Sequence, residues 1–270
     1  MRRFAVLGNP IEHSKSPEIH RAFAESCRHE IDYQKVLVEA GDFDRVVTEF
    51  FASGGIGLNV TAPFKGEAFA LAEVHTEDAV DAKAVNTLWR DDVGRVCGHT
   101  TDGSGLALDL EVNLGWRLAG ANILFLGAGG AMRSILGPLC DRAPASIHVA
   151  NRTPERAKDL VALFKSRGSL TAGSLTAIPD REWSVVINGL SSGWAGDFPD
   201  LNIPTISCSA SAYDLIYSDK STPFMTWAAT RGFQQVTDGL GMLVEQAADS
   251  YNIWNGERPS TSHVLAMLRP

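Results

Sequence analysis

Short apolar runs alternate along the chain with longer stretches whose apolar residues recur every three or four positions. That rhythm predicts an α/β protein with mainly parallel sheets, because each buried strand is followed by a helix that covers it. In the first half, strands are expected at 4–7, 33–38, 57–60 and 84–89, with helices over 16–26, over 42–53 and from Pro63 to about Glu73. Asp91-Asp-Val-Gly94 supplies turn residues between 84–89 and Arg95-Val-Cys-Gly98, which predicts a hairpin. A second set opens at Ile123-Leu-Phe-Leu126 and continues with strands at 147–150 and 185–187, a helix over 154–165 and a strand near 213–216. Ser16 before Pro17, and Thr153 before Pro154, pair a capping hydroxyl with a proline suited to the first helical position. A closing helix is expected over 240–254.

Composition narrows what such a chain does. Its 270 residues carry 24 Lys and Arg against 32 Asp and Glu, a net charge of −8, which argues against a nucleic-acid partner. No window reaches the ~18 consecutive apolar residues of a membrane helix, so no membrane role is expected. The apolar run at the N-terminus stops at Gly8, too short for a secretory leader, and a cytoplasmic protein is expected. Cys27, Cys97, Cys140 and Cys208 lie far apart and read as free core thiols, and the seven scattered His suggest no metal site. Monomer and homodimer both stay open.

In Ile123-Leu-Phe-Leu-Gly-Ala-Gly-Gly-Ala-Met-Arg-Ser134 a buried strand, a glycine turn and a helix start follow in order, the context of a dinucleotide-binding turn. Gly127, Ala128, Gly129, Gly130 and Ala131 form the turn, where free amides and the positive end of the helix dipole favour a pyrophosphate. The third glycine of the usual pattern falls at Met132, and Gly130-Ala131 is expected to provide the close packing instead. At the end of the next strand, an Asp or Glu would select the ribose hydroxyl of NAD. This chain has Asn151, Arg152, Thr153 and Arg156, cations and short donors that suit a 2′-phosphate, so the cofactor expected is NADP(H).

The first half holds polar clusters that a packed core does not explain. Ser14 and Ser16 lie in Gly8-Asn-Pro-Ile-Glu-His-Ser-Lys-Ser-Pro17; Asn59, Thr61 and Lys65 lie in Asn59-Val-Thr-Ala-Pro-Phe-Lys65; Asp102 lies in Thr100-Thr-Asp-Gly103. With Ala84-Val-Asn-Thr-Leu88, Gly127-Ala-Gly-Gly-Ala131, Asn151-Arg-Thr153 and Asp238-Gly-Leu-Gly-Met-Leu-Val244, extending to Gln246, these segments resemble the shikimate dehydrogenase family, in its order and over nearly the whole chain.

The resemblance implies an N-terminal α/β substrate domain with a mainly parallel sheet, a Rossmann-type NADP-binding domain, and a C-terminal helix returning to the substrate domain. The corresponding boundaries are 1–103 with 239–270, and 104–238. It implies reversible reduction of 3-dehydroshikimate to shikimate by NADPH, a step of aromatic biosynthesis. Ser14, Ser16 and Tyr217 would hold the substrate carboxylate, Thr61, Asn86 and Gln246 its hydroxyls, and Gly239 would join the cofactor site. Lys65 and Asp102 would form the catalytic pair, since hydride transfer at an alcohol carbon requires a partner for the hydroxyl proton; which of the two takes it stays open. Thr100 stands where the family commonly has Asn, and Gly189-Leu190 where it has Ala-Thr, changes that bear on cofactor affinity. A paralogue acting on quinate or an amino-substituted shikimate is the nearest alternative, and a non-catalytic NADP-binding sensor the alternative of another class.

Overall fold

The computed structural model describes residues 1–190 and 198–269, so Ser191-Ser-Gly193, which follows Gly189-Leu190, lies outside the described residues. The chain divides into two compact units, Met1–Gly105 with Leu243–Pro270, and Leu106–Met242.

The first unit runs β1 (Arg2–Gly8), α1 (Ser16–Cys27), β2 (Ile31–Leu37), α2 (Phe43–Ala52), β3 (Gly57–Val60), α3 (Lys65–Leu71), β4 (Val74–His75), α4 (Glu77–Ala82), β5 (Thr87–Arg90), β6 (Val96–His99) and the start of α5 (Asp102–Leu108). Its six strands lie in the order β2-β1-β3-β5-β6-β4. β1 is parallel to β2 and β3, whereas β5 runs antiparallel to both β3 and β6, the expected hairpin. Phe4 to Leu7 form an unbroken buried run because β1 is covered on both faces. Phe43, Val47 and Phe51 of α2 fall at four-residue spacing and bury one stripe against Ala5, Leu7, Leu58 and Val60.

The second unit continues α5 through a π-helical turn (Asp109–Asn113) into β7 (Asn122–Leu126), α6 (Gly130–Cys140), β8 (Ser146–Asn151), α7 (Pro154–Leu163), β9 (Leu170–Ser174), β10 (Glu182–Asn188), β11 (Thr205–Asp214), α8 (Pro223–Ala229) and β12 (Gln235–Thr237). All six strands are parallel, in the order β12-β11-β10-β7-β8-β9. The strand order reverses between β7 and β10, the switch point beside which open α/β sheets bind ligands. α9 (Leu240–Asn255) then carries the chain back, and Val244, Ala247, Ala248 and Tyr251 pack with Ile19 and Phe23 of α1 and Val264 of α10 (Ser262–Leu268).

The departures from expectation have local causes. The strand expected at 84–89 begins at Thr87, because Asn86 turns its amide inward to Thr101 and Asp102. The strand expected near 213–216 is β11, ending at Asp214; its first half, Thr-Ile-Ser-Cys-Ser, is exposed or half-exposed and so carries no apolar signal. Neither Ser16 nor Thr153 caps a helix with its side chain. Ser16 is itself helical, and its amide donates to Ser14 Oγ at 3.3 Å. Of the four free thiols only Cys97 and Cys140 are buried; Cys208 is exposed on β11 and Cys27 half-exposed. Among the described residues no helix is long and apolar enough to cross a membrane, and no cluster of His, Cys, Asp and Glu could hold a metal ion.

His20 on α1 is buried, with neither ring nitrogen hydrogen-bonded, and its ring stacks on Tyr33 with centroids 4.3 Å apart. Desolvation pushes its pKa down to about 3. The unfolded chain therefore binds a proton that the folded one refuses, and stability falls as pH drops from the unfolded value near 6.5 toward 3. This residue is expected to contribute a slope of up to about 1.4 kcal/mol per pH unit in that window. Denaturant melts across the acid range should show it, and His20→Phe should flatten it.

Candidate active site

Thr61 and the loop that carries Ser14 follow the C-terminal ends of β3 and β1, neighbouring parallel strands, where α/β sheets expose loop amides and side chains. Thr61 N–H donates to Leu7 O at 2.9 Å and Asn9 N–H to Ala62 O at 3.2 Å, which ties the loop after β3 to the loop after β1. Gly8 permits this: a Cβ there would stand 2.4 Å from Thr61 Cγ2 and 2.9 Å from Ile11 Cδ1. The start of the loop that carries Ser14 is thereby joined to the loop that carries Thr61 within the first unit. Ser16 is buried and Ser14 half-buried.

Lys65 opens α3 and Asp102 opens α5, and Lys65 Nζ stands 2.7 Å from Asp102 Oδ2. Their side chains are 25% and 7% exposed, so the lysine is open to an approaching ligand while its partner is held inside. Asn86 Nδ2 donates to Asp102 Oδ1 at 3.0 Å, and Thr100 Oγ1 lies 3.5 Å from Oδ2, a long contact from the hydroxyl that replaces the family's amide. Each carboxylate oxygen thus has a donor, which fixes the orientation of Asp102.

Asn86 is the hub of the site. Its two amide hydrogens face three acceptors, Thr101 Oγ1 at 2.9 Å, Asp102 Oδ1 at 3.0 Å and Gln246 Oε1 at 3.2 Å. Its Oδ1 accepts from Thr101 N–H and the Thr87 hydroxyl. Gln246 on α9 is anchored through Nε2 to Leu243 O. Beneath lies a layer of which the sequence reading singled out only Asn59: Tyr33 OH donates to Asn59 Oδ1 at 2.7 Å, and Asn59 Nδ2 donates to Asn86 O and Ser250 Oγ. Tyr33 and Ser250 sit at core positions of amphipathic elements, so periodicity alone could not mark them as polar partners. Tyr217 lies in the second unit, half-buried in the segment after β11.

The cofactor candidates fall in the second unit. Gly127 follows β7 with φ +110, a conformation L side chains rarely adopt, and a Cβ there would stand 2.8 Å from Gly189 O. Gly129 and Gly130 start α6, no side chain caps that end, and Cβ atoms at both would meet nothing within 4 Å. The uncapped amides are therefore accessible to a phosphate. Ala131 is exposed, so neither it nor Gly130 supplies the close packing expected of them. Met132 is fully buried, and the small residue lies across from it: a Cβ on Gly189 would stand 2.6 Å from Met132 Sδ. The glycine in the family's Ala position makes room for the methionine in the third-glycine position.

That exchange predicts coupling. Gly189→Ala should destabilise by about 1–3 kcal/mol through overpacking, and Met132→Ala should cost less in that background than alone; thermal melts of the cycle test it.

Asn151 ends β8 with its amide on Thr153 O at 2.9 Å, and Thr153, Arg152 and Arg156 are exposed at the start of α7. Among the described residues neither of these guanidinium groups has an ionic or hydrogen-bonded partner, an arrangement that suits an anionic ligand. Gly239 is held close to the segment after β11, where a Cβ would stand 2.4 Å from Leu215 O, so its place in the sequence reflects backbone packing as well as any ligand.

Comparisons with known proteins place the chain among its relatives. The family model for the shikimate dehydrogenase substrate binding domain matches residues 6–88, that for shikimate / quinate 5-dehydrogenase residues 110–191, and that for the shikimate 5'-dehydrogenase C-terminal domain residues 239–269. A shikimate dehydrogenase (NADP(+)) of Alkalilimnicola ehrlichii is 48% identical over 99% of this chain and 98% of its own length. The crystal structure of an Ael1 enzyme from Pseudomonas putida superposes with a TM-score of 0.92 at 38% identity, covering 99% of this chain and 98% of that one. The shikimate 5-dehydrogenase of Thermus thermophilus, solved with NADP(H) and shikimate, gives a TM-score of 0.84 at 31% identity over 97% and 96% of the two chains.

Proposed function

The chain belongs to the shikimate dehydrogenase family, and from that premise we propose that it catalyses the reversible NADPH-dependent reduction of 3-dehydroshikimate to shikimate, with the substrate in the first unit and the dinucleotide in the second. The observation that carries this reading is the 2.7 Å ion pair of Lys65 and Asp102, with the lysine half-open and the aspartate oriented by a buried amide. NADPH, when bound, supplies the hydride. Lys65 then neutralises and protonates the oxygen that gains negative charge, and in the opposite direction takes up the hydroxyl proton. Asp102 keeps Nζ in place, and Asn86 keeps Asp102 in place.

Ser14 and Ser16 offer hydroxyl donors to the substrate carboxylate. Thr61 and Gln246 face the ring hydroxyls; Asn86, whose amide is already oversubscribed, meets a hydroxyl by exchanging one of its acceptors for it. On the cofactor side, the Gly127–Ala131 turn receives the pyrophosphate, Gly239 adjoins it, and Asn151, Arg152, Thr153 and Arg156 receive the 2′-phosphate. Four free cysteines fit a cytoplasmic enzyme.

The test is a panel of shikimate and quinate against NADP and NAD. The expected kcat/KM for shikimate with NADP exceeds every other combination by roughly tenfold or more, about 1.4 kcal/mol of transition-state binding. A preference for quinate with NAD sinks the assignment.

A further inference from the structure

Outside the lysine–aspartate pair, the first unit contains a second group of charges that the proposed chemistry does not use. Arg258, between α9 and α10, donates from Nη2 to Glu245 Oε2 at 2.6 Å and from Nε to Asp249 Oδ1 at 2.8 Å. Glu245 has a side chain only 4% exposed and also accepts from Thr261 Oγ1 at 2.7 Å. The other oxygen of Asp249 accepts from Ser104 Oγ at 2.6 Å. One guanidinium thus spans two carboxylates, and one of these reaches α5 two residues beyond Asp102.

The sequence explains why that reach matters. The first turn of α5 reads Asp102-Gly103-Ser104-Gly105, and glycine is the poorest helix former after proline. Gly105 is required where it stands, since a Cβ there would lie 2.7 Å from Gln246 N, so α5 approaches α9 at the expense of its own rigidity. Ser104 is the one residue of that turn besides Asp102 with a side chain, and it is tied across to Asp249.

We propose that Asp249, oriented by Arg258, is a positioning residue for Asp102. Through Ser104 it holds the glycine-rich turn that aims Asp102 at Lys65. Through Glu245, the neighbour of Gln246, the same guanidinium holds the turn of α9 that faces the substrate hydroxyls. The proposal rests on the assignment of Lys65 and Asp102 as the catalytic pair.

The experiment compares Ser104→Ala, Ser104→Thr, Arg258→Met and the Ser104→Ala/Arg258→Met double variant with wild type, in shikimate oxidation by NADP well below each melting temperature. Ser104→Ala is expected to lower kcat about tenfold with both KM values within about twofold, the split that marks loss of transition-state geometry rather than of binding. Ser104→Thr, which keeps the hydroxyl, should retain most of the activity. The double variant should lose no more than the worse single variant, because both substitutions break one chain of contacts. Wild-type kcat in Ser104→Ala, or losses that multiply in the double variant, overturns the proposal. If wild type itself does not oxidise shikimate, the catalytic reading fails and takes the proposal with it; an active wild type with unchanged variants removes the proposal alone.

Discussion

Lys65→Ala is expected to lower kcat with shikimate by about 10²–10⁴-fold, the range for a positioned general acid or base, while shikimate continues to bind. The size follows from what is lost at one atom. Nζ is the half-open end of an ion pair whose other end is fixed from two sides, by Lys65 on Oδ2 and by Asn86 on Oδ1. Removing it takes away the group that balances charge on the reacting oxygen. It leaves Asp102 still hydrogen-bonded to Asn86, so the site is not emptied of structure. Ser14, on the loop after β1, and Ser16, at the start of α1, retain their hydroxyls for the carboxylate. Steady-state kinetics combined with calorimetric titration of shikimate checks this; an unchanged kcat, or a loss confined to KM, would place Lys65 in binding rather than chemistry.

The second large effect concerns the dinucleotide. Arg152→Ala with Arg156→Ala is expected to raise the KM for NADP by roughly 10²-fold or more, since each charge-assisted hydrogen bond to a phosphate contributes about 1.5–3 kcal/mol. The KM for NAD, which lacks the 2′-phosphate, should stay within about twofold. Both arginines are exposed and, among the described residues, without ionic or hydrogen-bonded partners, so their loss should leave stability nearly unchanged and the effect reads on binding alone. Wild-type NADP affinity should also weaken with added salt more than NAD affinity does, because exposed charges are screened over ~8 Å at physiological ionic strength. Parallel weakening toward both cofactors would count against a 2′-phosphate site at these residues.

Much of this was legible in the sequence wherever local chemistry decides local structure. The buried run of β1, the four-residue spacing on α2 and the Asp91–Gly94 turn each name their own element. The strand–turn–helix at 122–140 and the exposed arginines beyond β8 are also legible, because glycine conformation and charge are properties of the residues themselves. What was not legible depends on partners distant in sequence. Met132 in the third-glycine position makes sense only beside Gly189, and no periodicity links those two. Asn59 and Tyr33 read as a strand-end amide and a core aromatic until the fold sets one against the other. The exposed half of β11 lacks the apolar alternation that a strand on a buried face would show, and Cys208 lies there in solvent rather than in the core.

The central claim is that this is a catalyst whose cations are placed locally in a chain of net charge −8, and not a binding protein on the same fold. The most direct measurement is incubation of the wild-type protein with NADP and shikimate, following the absorbance of reduced nicotinamide and identifying the ring product. Formation of one 3-dehydroshikimate for each NADPH, over many turnovers, is the result this structure predicts. Tight binding of NADPH with no turnover of shikimate or 3-dehydroshikimate would contradict it.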